Sequence, residues 1–270
     1  MVLEFKACQL RIIAVACFFM LLPQRVSALR VVSLMPSYTE IIFAVGAGDD
    51  LVGVSNFCDY PPAAALKTKV GDYFSPNPEK IYSLKPDLVF ASGSSCLSVG
   101  KQLSTFGIRT VCVPAESRVA DIFSTIRVIA RETGRKSEGE KLISTLKKSV
   151  PRRRAKYVPR RVYIDVDSGL WTCGGDSYIS DAVRMAGGEN VFSAERRQYF
   201  QASWERVLKE NPDYILSVSG ASGQLADMPL AGSLSAVKNG RIITSIDRNI
   251  FTRPSPRLFG EIKKLSEILK

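Results

Sequence analysis

The sequence predicts an α/β protein of two lobes, each built on a buried parallel sheet, joined by one long helix. Three observations predict it. Apolar, β-rich runs alternate with helical patterns in both halves of the chain. A long helix-compatible stretch separates the halves. One motif also occurs twice, as NPEKIYSLKPDLVFASG at 77–93 and SWERVLKENPDYILSVSG at 203–220. In each copy a glutamate (Glu79, Glu205) precedes a basic residue and then Ile or Val, a Pro-Asp pair begins seven residues after the glutamate, and an apolar run ends at Ser-Gly.

Residues 1–28 have the order of a secretion signal: Lys6 and Arg11, an apolar run from Ile12 to Leu22, then the small residues Val26-Ser27-Ala28 before a cut. The run is shorter than the roughly 20 apolar residues that span a bilayer. Ala14-Val15-Ala16 before Cys17 faintly resembles a lipoprotein site, but apolar residues follow it where a mature lipoprotein would be polar. The expectation is a soluble exported protein cleaved near Ala28.

The first lobe is expected over 29–118. Strand-like runs at Arg30–Leu34, Leu51–Val54, Asp87–Ala91 and Arg109–Val113 alternate with helical patterns near Tyr38–Val45, Pro78–Leu84 and Leu97–Phe106. These strands are apolar throughout rather than alternating, which argues for a parallel sheet covered on both faces. Over 119–150, Ile122, Ile126, Ile129, Leu142, Ile143 and Leu146 keep helical spacing, with Gly134 and Gly139 as weak points. A continuous helix there would be about 45 Å long at about 1.5 Å per residue. The second lobe is expected over 151–270. Its strands fall at Arg161–Val166, Tyr214–Val218 and Arg241–Ser245, and its helices at Ser177–Met185, Trp204–Glu210 and Ser255–Leu269. The repeated motif then occupies the same place in both lobes: a short helix, a turn at Pro-Asp, and a core strand.

Composition excludes several chemistries. The chain has no histidine, so it has no Ser-His-Asp triad and no His-rich metal site. A secreted hydrolase built on Ser177 or Asp176 in GGDS would lack a general base, and the segment reads instead as a turn and helix cap. The net charge is +11, which favours an anionic surface or partner. The densest basic run, PRRRAKYVPRR at 151–161, reads as a solvated connector, without the aromatic platform that single-stranded nucleic acid requires. Four cysteines follow the leader: Cys58, Cys96, Cys112 and Cys173. Cys112, in the strand-like TVCVP, reads as a small buried hydrophobe. Cys58 and Cys96 each follow a strand and could meet at one sheet edge.

RVVSLMPSYTEIIFAVGAGDDLVGVSNFCDYPP, VGDYFSPNPEKIYSLKPDLVFASG, GGENVF and RPSPR together resemble the periplasmic substrate-binding proteins that feed ABC importers of cobalamin and iron–siderophores. The likeness covers nearly all of the chain after residue 28, and Asp59-Tyr60-Pro61-Pro62 with the NPEKI…LKPDLV block is most similar to the cobalamin branch. The resemblance implies two Rossmann-like lobes on one rigid helix (class III, the helical-backbone metal-receptor type). It implies a monomer that holds its ligand between the lobes, carries no enzymatic cofactor and makes no nucleic-acid contact. It further implies a partner, an inner-membrane permease dimer with its ATPase. A glutamate at the start of the repeated helix on each lobe would dock onto the transporter's arginines, which assigns that role to Glu79 and Glu205. Either glutamate alone reads as a carboxylate complementing a helix N-terminus, worth about 0.3–1 kcal/mol.

Ligands of doubly wound sheets bind just beyond the strand ends. That rule selects Tyr60, Tyr73 and Phe74 in the first lobe, and Trp171, Tyr199 and Phe200 in the second. Aromatic rings with polar tips suit the broad apolar faces and amide rim of a corrin. The family often carries tryptophan near position 74, where this chain has Phe74. Arg253, between a strand and the last helix, is placed to meet a phosphate or carboxylate of the ligand, against its plain reading as a solvated loop arginine. The alternative ligand is an iron–siderophore or haem, with Arg196, Arg197 and Arg253 as a basic wall.

Overall fold

The protein is described here by a computed structural model covering residues 29–151, 158–220, 225 and 227–270, with backbone only at 94 and 95. Residues 1–28, where a leader is expected, and most of the basic connector lie outside the described residues.

The first lobe runs β1 (Val31–Ser33), α1 (Pro36–Ala44), β2 (Leu51–Val54), α2 (Pro62–Ala65), β3 (Thr68–Lys69), α3 (Pro78–Ser83), β4 (Leu88–Ser92), α4 (Gly93–Ser104) and β5 (Arg109–Val113). Its strands form one wholly parallel sheet in the order β3-β2-β1-β4-β5. The second lobe runs β6 (Arg160–Asp165), β7 (Trp171–Cys173), α7 (Tyr178–Ala186), β8 (Gly188–Asn190), β9 (Tyr199–Gln201), α8 (Trp204–Glu210) and β10 (Tyr214–Ser217). It closes with α9 (Ser235–Lys238), β11 (Ile242–Ile243), α10 (Arg248–Phe251) and α11 (Leu258–Ile268). Here the parallel order is β11-β10-β6-β8, and β7 and β9 form a separate antiparallel ribbon.

Each sheet is apolar on both faces, as buried parallel strands must be. Val32, Leu34, Val89 and Ala91 pack against the first lobe's own helices, while Tyr163 and Ile215 do the same in the second. The opposite faces, Val31 and Phe90 in one lobe and Val162, Ile164 and Leu216 in the other, belong to a single core that runs through both. The helices between the lobes carry that core across, through Ile122, Ile126, Ile129 and Ile143.

Those connecting helices correct the expectation of one rod over 119–150. There are two, α5 (Asp121–Glu132) and α6 (Lys136–Ser149), folded back on each other. The chain reverses at Gly134, whose φ is +70°. This is the left-handed conformation that ends helices and that glycine adopts without steric cost. At Gly139 a Cβ would lie 2.6 Å from Ala130 Cβ, so a hydrogen there is what lets the two helices approach. Farther along, Lys147 Nζ sits 5.3 Å from the Phe123 ring centre, as an antiparallel hairpin requires.

The cysteine expectation is corrected too. Cys96 is disulfide-bonded to Cys112, with Cα atoms 5.7 Å apart, while Cys58 and Cys173 are free and buried. Helix α4 starts directly from β4, so Cys96 comes down beside the edge strand β5 that carries Cys112. Cys58 follows β2, on the far side of β1 and β4. Thr39 Oγ1 donates to its sulfur at 3.1 Å.

Candidate functional site

In the first sheet the strand order reverses between β1 and β4, and in the second between β6 and β10. The crevice outside such a reversal is where open α/β sheets receive ligands. The loops after β2 and β3 bring an aromatic cluster to the first lobe's strand ends. Tyr73 is half-buried, with Phe74 at 4.1 Å and Phe57 at 5.6 Å between ring centres. Asp72 Oδ1 accepts from the N–H groups of Phe74 at 2.9 Å and Ser75 at 2.6 Å, fixing the turn that presents Phe74 to solvent. Gly71 is needed before it, because its φ is +105° and a Cβ would meet Ser75 O at 2.9 Å. Phe57, missed from sequence, lies in the same NFCDY stretch as Tyr60, and its exposure is what adds it to the set.

In the second lobe the β7–β9 ribbon sorts the candidates by alternation. Trp171 and Tyr199 share one face and are 45% and 41% exposed, whereas Phe200 on the other face is 5% exposed. Phe200 packs against Phe192, with ring centres 5.5 Å apart, in the lobe's own core. It is therefore a structural residue, which corrects its selection as a ligand contact. Burial raises the phenols of Tyr199 and Tyr178, and Tyr199 is hydrogen-bonded to Ser177 and Tyr178. Its ring is thus held by its polar tip. Glu116, in the crossover from β5 to α5, is buried, and burial raises its carboxyl against the bond it accepts from Thr125 Oγ1 at 2.7 Å. Burial first, and that carboxyl as a lesser cause, raises the phenols of Tyr38 in the first lobe and Tyr178 in the second. The tyrosine-bearing ends of the two lobes therefore meet at the crossover.

Sequence reasoning did not find the ionic clamp that joins the lobes. Arg257 on the C-terminal segment donates from Nε to Glu40 Oε2 at 2.9 Å and from a terminal nitrogen to Oε1 at 2.5 Å. Arg253 Nη1 lies 2.5 Å from Asp59 Oδ1 and 3.5 Å from Glu40 Oε1. Glu40 is buried within the apolar helix α1, where an ionised carboxylate persists only when paired. The bond from Arg253 holds the Asp59 carboxyl below its ordinary value. Arg257 also lies 3.7 Å from the centre of the Tyr60 ring, a cation–π contact that sets the ring's attitude. A lone Glu in the apolar run PSYTEIIFAV was the visible signal, although its partners lie more than 200 residues away in sequence.

The expected basic wall is likewise ion-paired. Arg196 lies 3.5 Å from Asp176, Arg197 lies 3.9 Å from Glu195, and Arg253 is held by Asp59 and Glu40. Ser177 is buried and caps α7 by accepting from the Ile179 N–H at 3.2 Å. Among the described residues no group of three or more His, Cys, Asp or Glu is placed to hold a metal ion.

Glu79 and Glu205 are exposed in the first turns of α3 and α8. Asn77 Oδ1 accepts from the Lys80 N–H at 2.9 Å, and Ser203 Oγ from the Arg206 N–H at 3.4 Å. The Glu205 carboxyl is held below the ordinary range by its own backbone N–H and by Ser203. The two glutamates thus occupy matching places on the two lobes.

Two parallel-sheet lobes, one shared core between them and exposed aromatic rings at the strand ends of both are the architecture of a class III solute-binding protein. The family model described as Periplasmic binding protein matches residues 31–247. The chain belongs to that family. It is 31% identical over 250 residues to YvrC of Bacillus subtilis, named as an uncharacterized ABC transporter substrate-binding lipoprotein, covering 88% of this chain and 79% of that one. It is 32% identical over 246 residues to a vitamin B12-binding protein of Vibrio vulnificus, covering 88% of this chain and 89% of the other. A crystal structure of a possible iron-binding (periplasmic solute-binding) protein from Staphylococcus epidermidis superposes with a TM-score of 0.76 at 29% identity, over 88% of this chain and 97% of that one. The protein is thus a substrate-binding protein of an ABC importer. Among the described residues no helix is long and apolar enough to cross a membrane.

Proposed function

We propose that this protein captures cobalamin or a related corrinoid between its lobes in the periplasm and delivers it, as a monomer, to an inner-membrane permease dimer with its ATPase. The observation that carries the reading is the pair of aromatic rims: Tyr60, Tyr73, Phe74 and Phe57 on one lobe, Trp171 and Tyr199 on the other. A broad, largely apolar ring system with amide edges is the ligand such rims suit. The relative named as a vitamin B12-binding protein supports it. The pairing of Arg196, Arg197 and Arg253 disfavours the anionic alternative, an iron–siderophore or haem.

Capture involves little opening between the lobes, because the shared core and the Glu40 clamp tie them together. Delivery uses Glu79 and Glu205, whose exposed charges set orientation and encounter rate on the transporter. Calorimetric titration with cyanocobalamin, cobinamide and hemin tests the reading. The expected result is sub-micromolar binding of at least one corrinoid and a corrinoid visible spectrum that stays with the protein through gel filtration. Heat with hemin and none with either corrinoid would transfer the protein to the alternative.

A further inference from the structure

The repeated motif gives each lobe an internal control for the other, and one difference between them places a carboxylate where the other lobe has only hydrocarbon. Register aligns Val31 with Leu88 in the first sheet and Val162 with Tyr214 in the second. Leu34 and Ala91 therefore correspond to Asp165 and Ser217. In the first lobe that strand-end position is a buried leucine beside a buried alanine. In the second it is a carboxylate only 2% exposed. A like scaffold closes without any polar group there, so the fold does not require Asp165. Burying a carboxylate is costly unless it is hydrogen-bonded, and the two serine hydroxyls that reach Asp165 both meet Oδ2, which leaves its other oxygen to a ligand.

The surroundings say what kind. Asp165 sits on a cavity of about 340 Å³ with Ser168, Gly169, Leu170, Gln201, Leu225 and Met228. Ser217 donates its hydroxyl to Asp165 Oδ2 at 3.1 Å, and Ser219 donates to the same oxygen. Gln201 gives its amide N–H to Gly169 O at 2.8 Å. The neighbouring cation, Arg248, donates to Ser219 O at 3.2 Å and lies 3.7 Å from Asp167. Among the described residues, the side-chain donors of Ser217, Ser219, Gln201 and Arg248 are thus engaged within the protein, which leaves the Asp165 carboxyl as the acceptor on the cavity. Gln201 is the cross-strand partner of Trp171, so the cavity adjoins the exposed aromatic rim.

We infer that this cavity is a subsite for an uncharged hydrogen-bond-donating arm of the ligand, a primary carboxamide, and that Asp165 makes it reject arms ending in carboxylate. The assignment rests on the corrinoid reading and deepens it: a corrinoid rimmed by amides is admitted, and a ligand whose arms are acids meets a buried carboxylate whose neighbouring cation, Arg248, is turned to Ser219 O and Asp167.

The test titrates the full chain with cyanocobalamin and with its derivatives in which one peripheral carboxamide is hydrolysed to the acid. At least one monoacid should bind about tenfold or more weakly than the parent, because a polar site built for one partner rejects the analogue that leaves its groups unpaired. In Asp165→Asn, shown folded by circular dichroism and melting, the acid-to-amide ratio of Kd should fall towards one. In Asp165→Leu, which copies the first lobe, that ratio should also fall and the amide form itself should bind less tightly. Equal affinity of the native protein for the parent and every monoacid, or an unchanged ratio in Asp165→Asn, overturns the subsite while leaving the corrinoid reading standing. Absence of binding to the parent overturns the corrinoid reading and the subsite with it.

Discussion

At the base of each lobe the two copies of the repeated motif make the same contacts. The Pro-Asp aspartates accept from the backbone N–H that opens the neighbouring strand: Asp87 from Arg30 at 2.7 Å, Asp213 from Arg161 at 3.0 Å. The side chains of those arginines then reach the carbonyls that end the preceding helix, Arg30 to Leu84 O at 2.7 Å and Arg161 to Glu210 O at 2.7 Å. Lys85 and Asn211 close the helices in the same left-handed conformation, with φ of 47° and 42°. Ile81 and Val207 fill the same buried place. At the other end of the same strands the lobes part company, with Leu34 and Ala91 in one and Asp165 and Ser217 in the other. The shared end anchors the C-termini of α3 and α8 to the sheets, and on the proposed reading the divergent end meets the ligand. At the strand ends, resemblance between the lobes thus accompanies scaffold, and the proposed subsite lies where they depart.

The largest effect should come from the matched surface. Glu79→Ala combined with Glu205→Ala should abolish transporter-dependent corrinoid uptake by cells while leaving calorimetric ligand affinity unchanged. A double variant that binds ligand poorly would return both acids to the fold. Next comes the tie between the lobes. Glu40→Ala strands the partly buried guanidinium of Arg257, while Arg253 keeps Asp59, and should destabilise the protein by about 3 kcal/mol in urea melts. A loss within the error of the melt would mean that the lobes are held by the shared core alone. Smallest is the test of equivalence itself. Asp87→Ala and Asp213→Ala each remove a charge-assisted but partly solvated bond, and should cost about 1 kcal/mol apiece. A marked inequality between them would break the comparison at its base.

Much of this was legible in the sequence, for physical reasons. Apolar strands that do not alternate, helix caps at Asn77 and Ser203, and Pro-Asp turns are local signals, and the structure follows them. The continuous rod was a misreading of periodicity: Ile122 to Ile129 and Leu142 to Leu146 keep helical spacing whether the chain runs straight or doubles back at Gly134. Phe200 was assigned to the site because it adjoins Tyr199, yet strand alternation turns neighbours to opposite faces. The clamp of Glu40 with Arg253 and Arg257 was illegible, since no short-range pattern pairs charges so distant in sequence. Asp165 became informative only when the strand registers showed which first-lobe residue it replaces.

The central claim, a corrinoid held against the aromatic rims, can be tested on the chain's own fluorescence. Of its two tryptophans, Trp171 lies exposed on the second-lobe rim and Trp204 is buried at the start of α8, donating to Pro229 O. In a Trp204→Phe variant the remaining emission reports on Trp171. Titration with cyanocobalamin should quench that emission saturably, with the Kd found by calorimetry. Calorimetric binding that leaves Trp171 emission unchanged would contradict the claim and place the ligand elsewhere on the molecule.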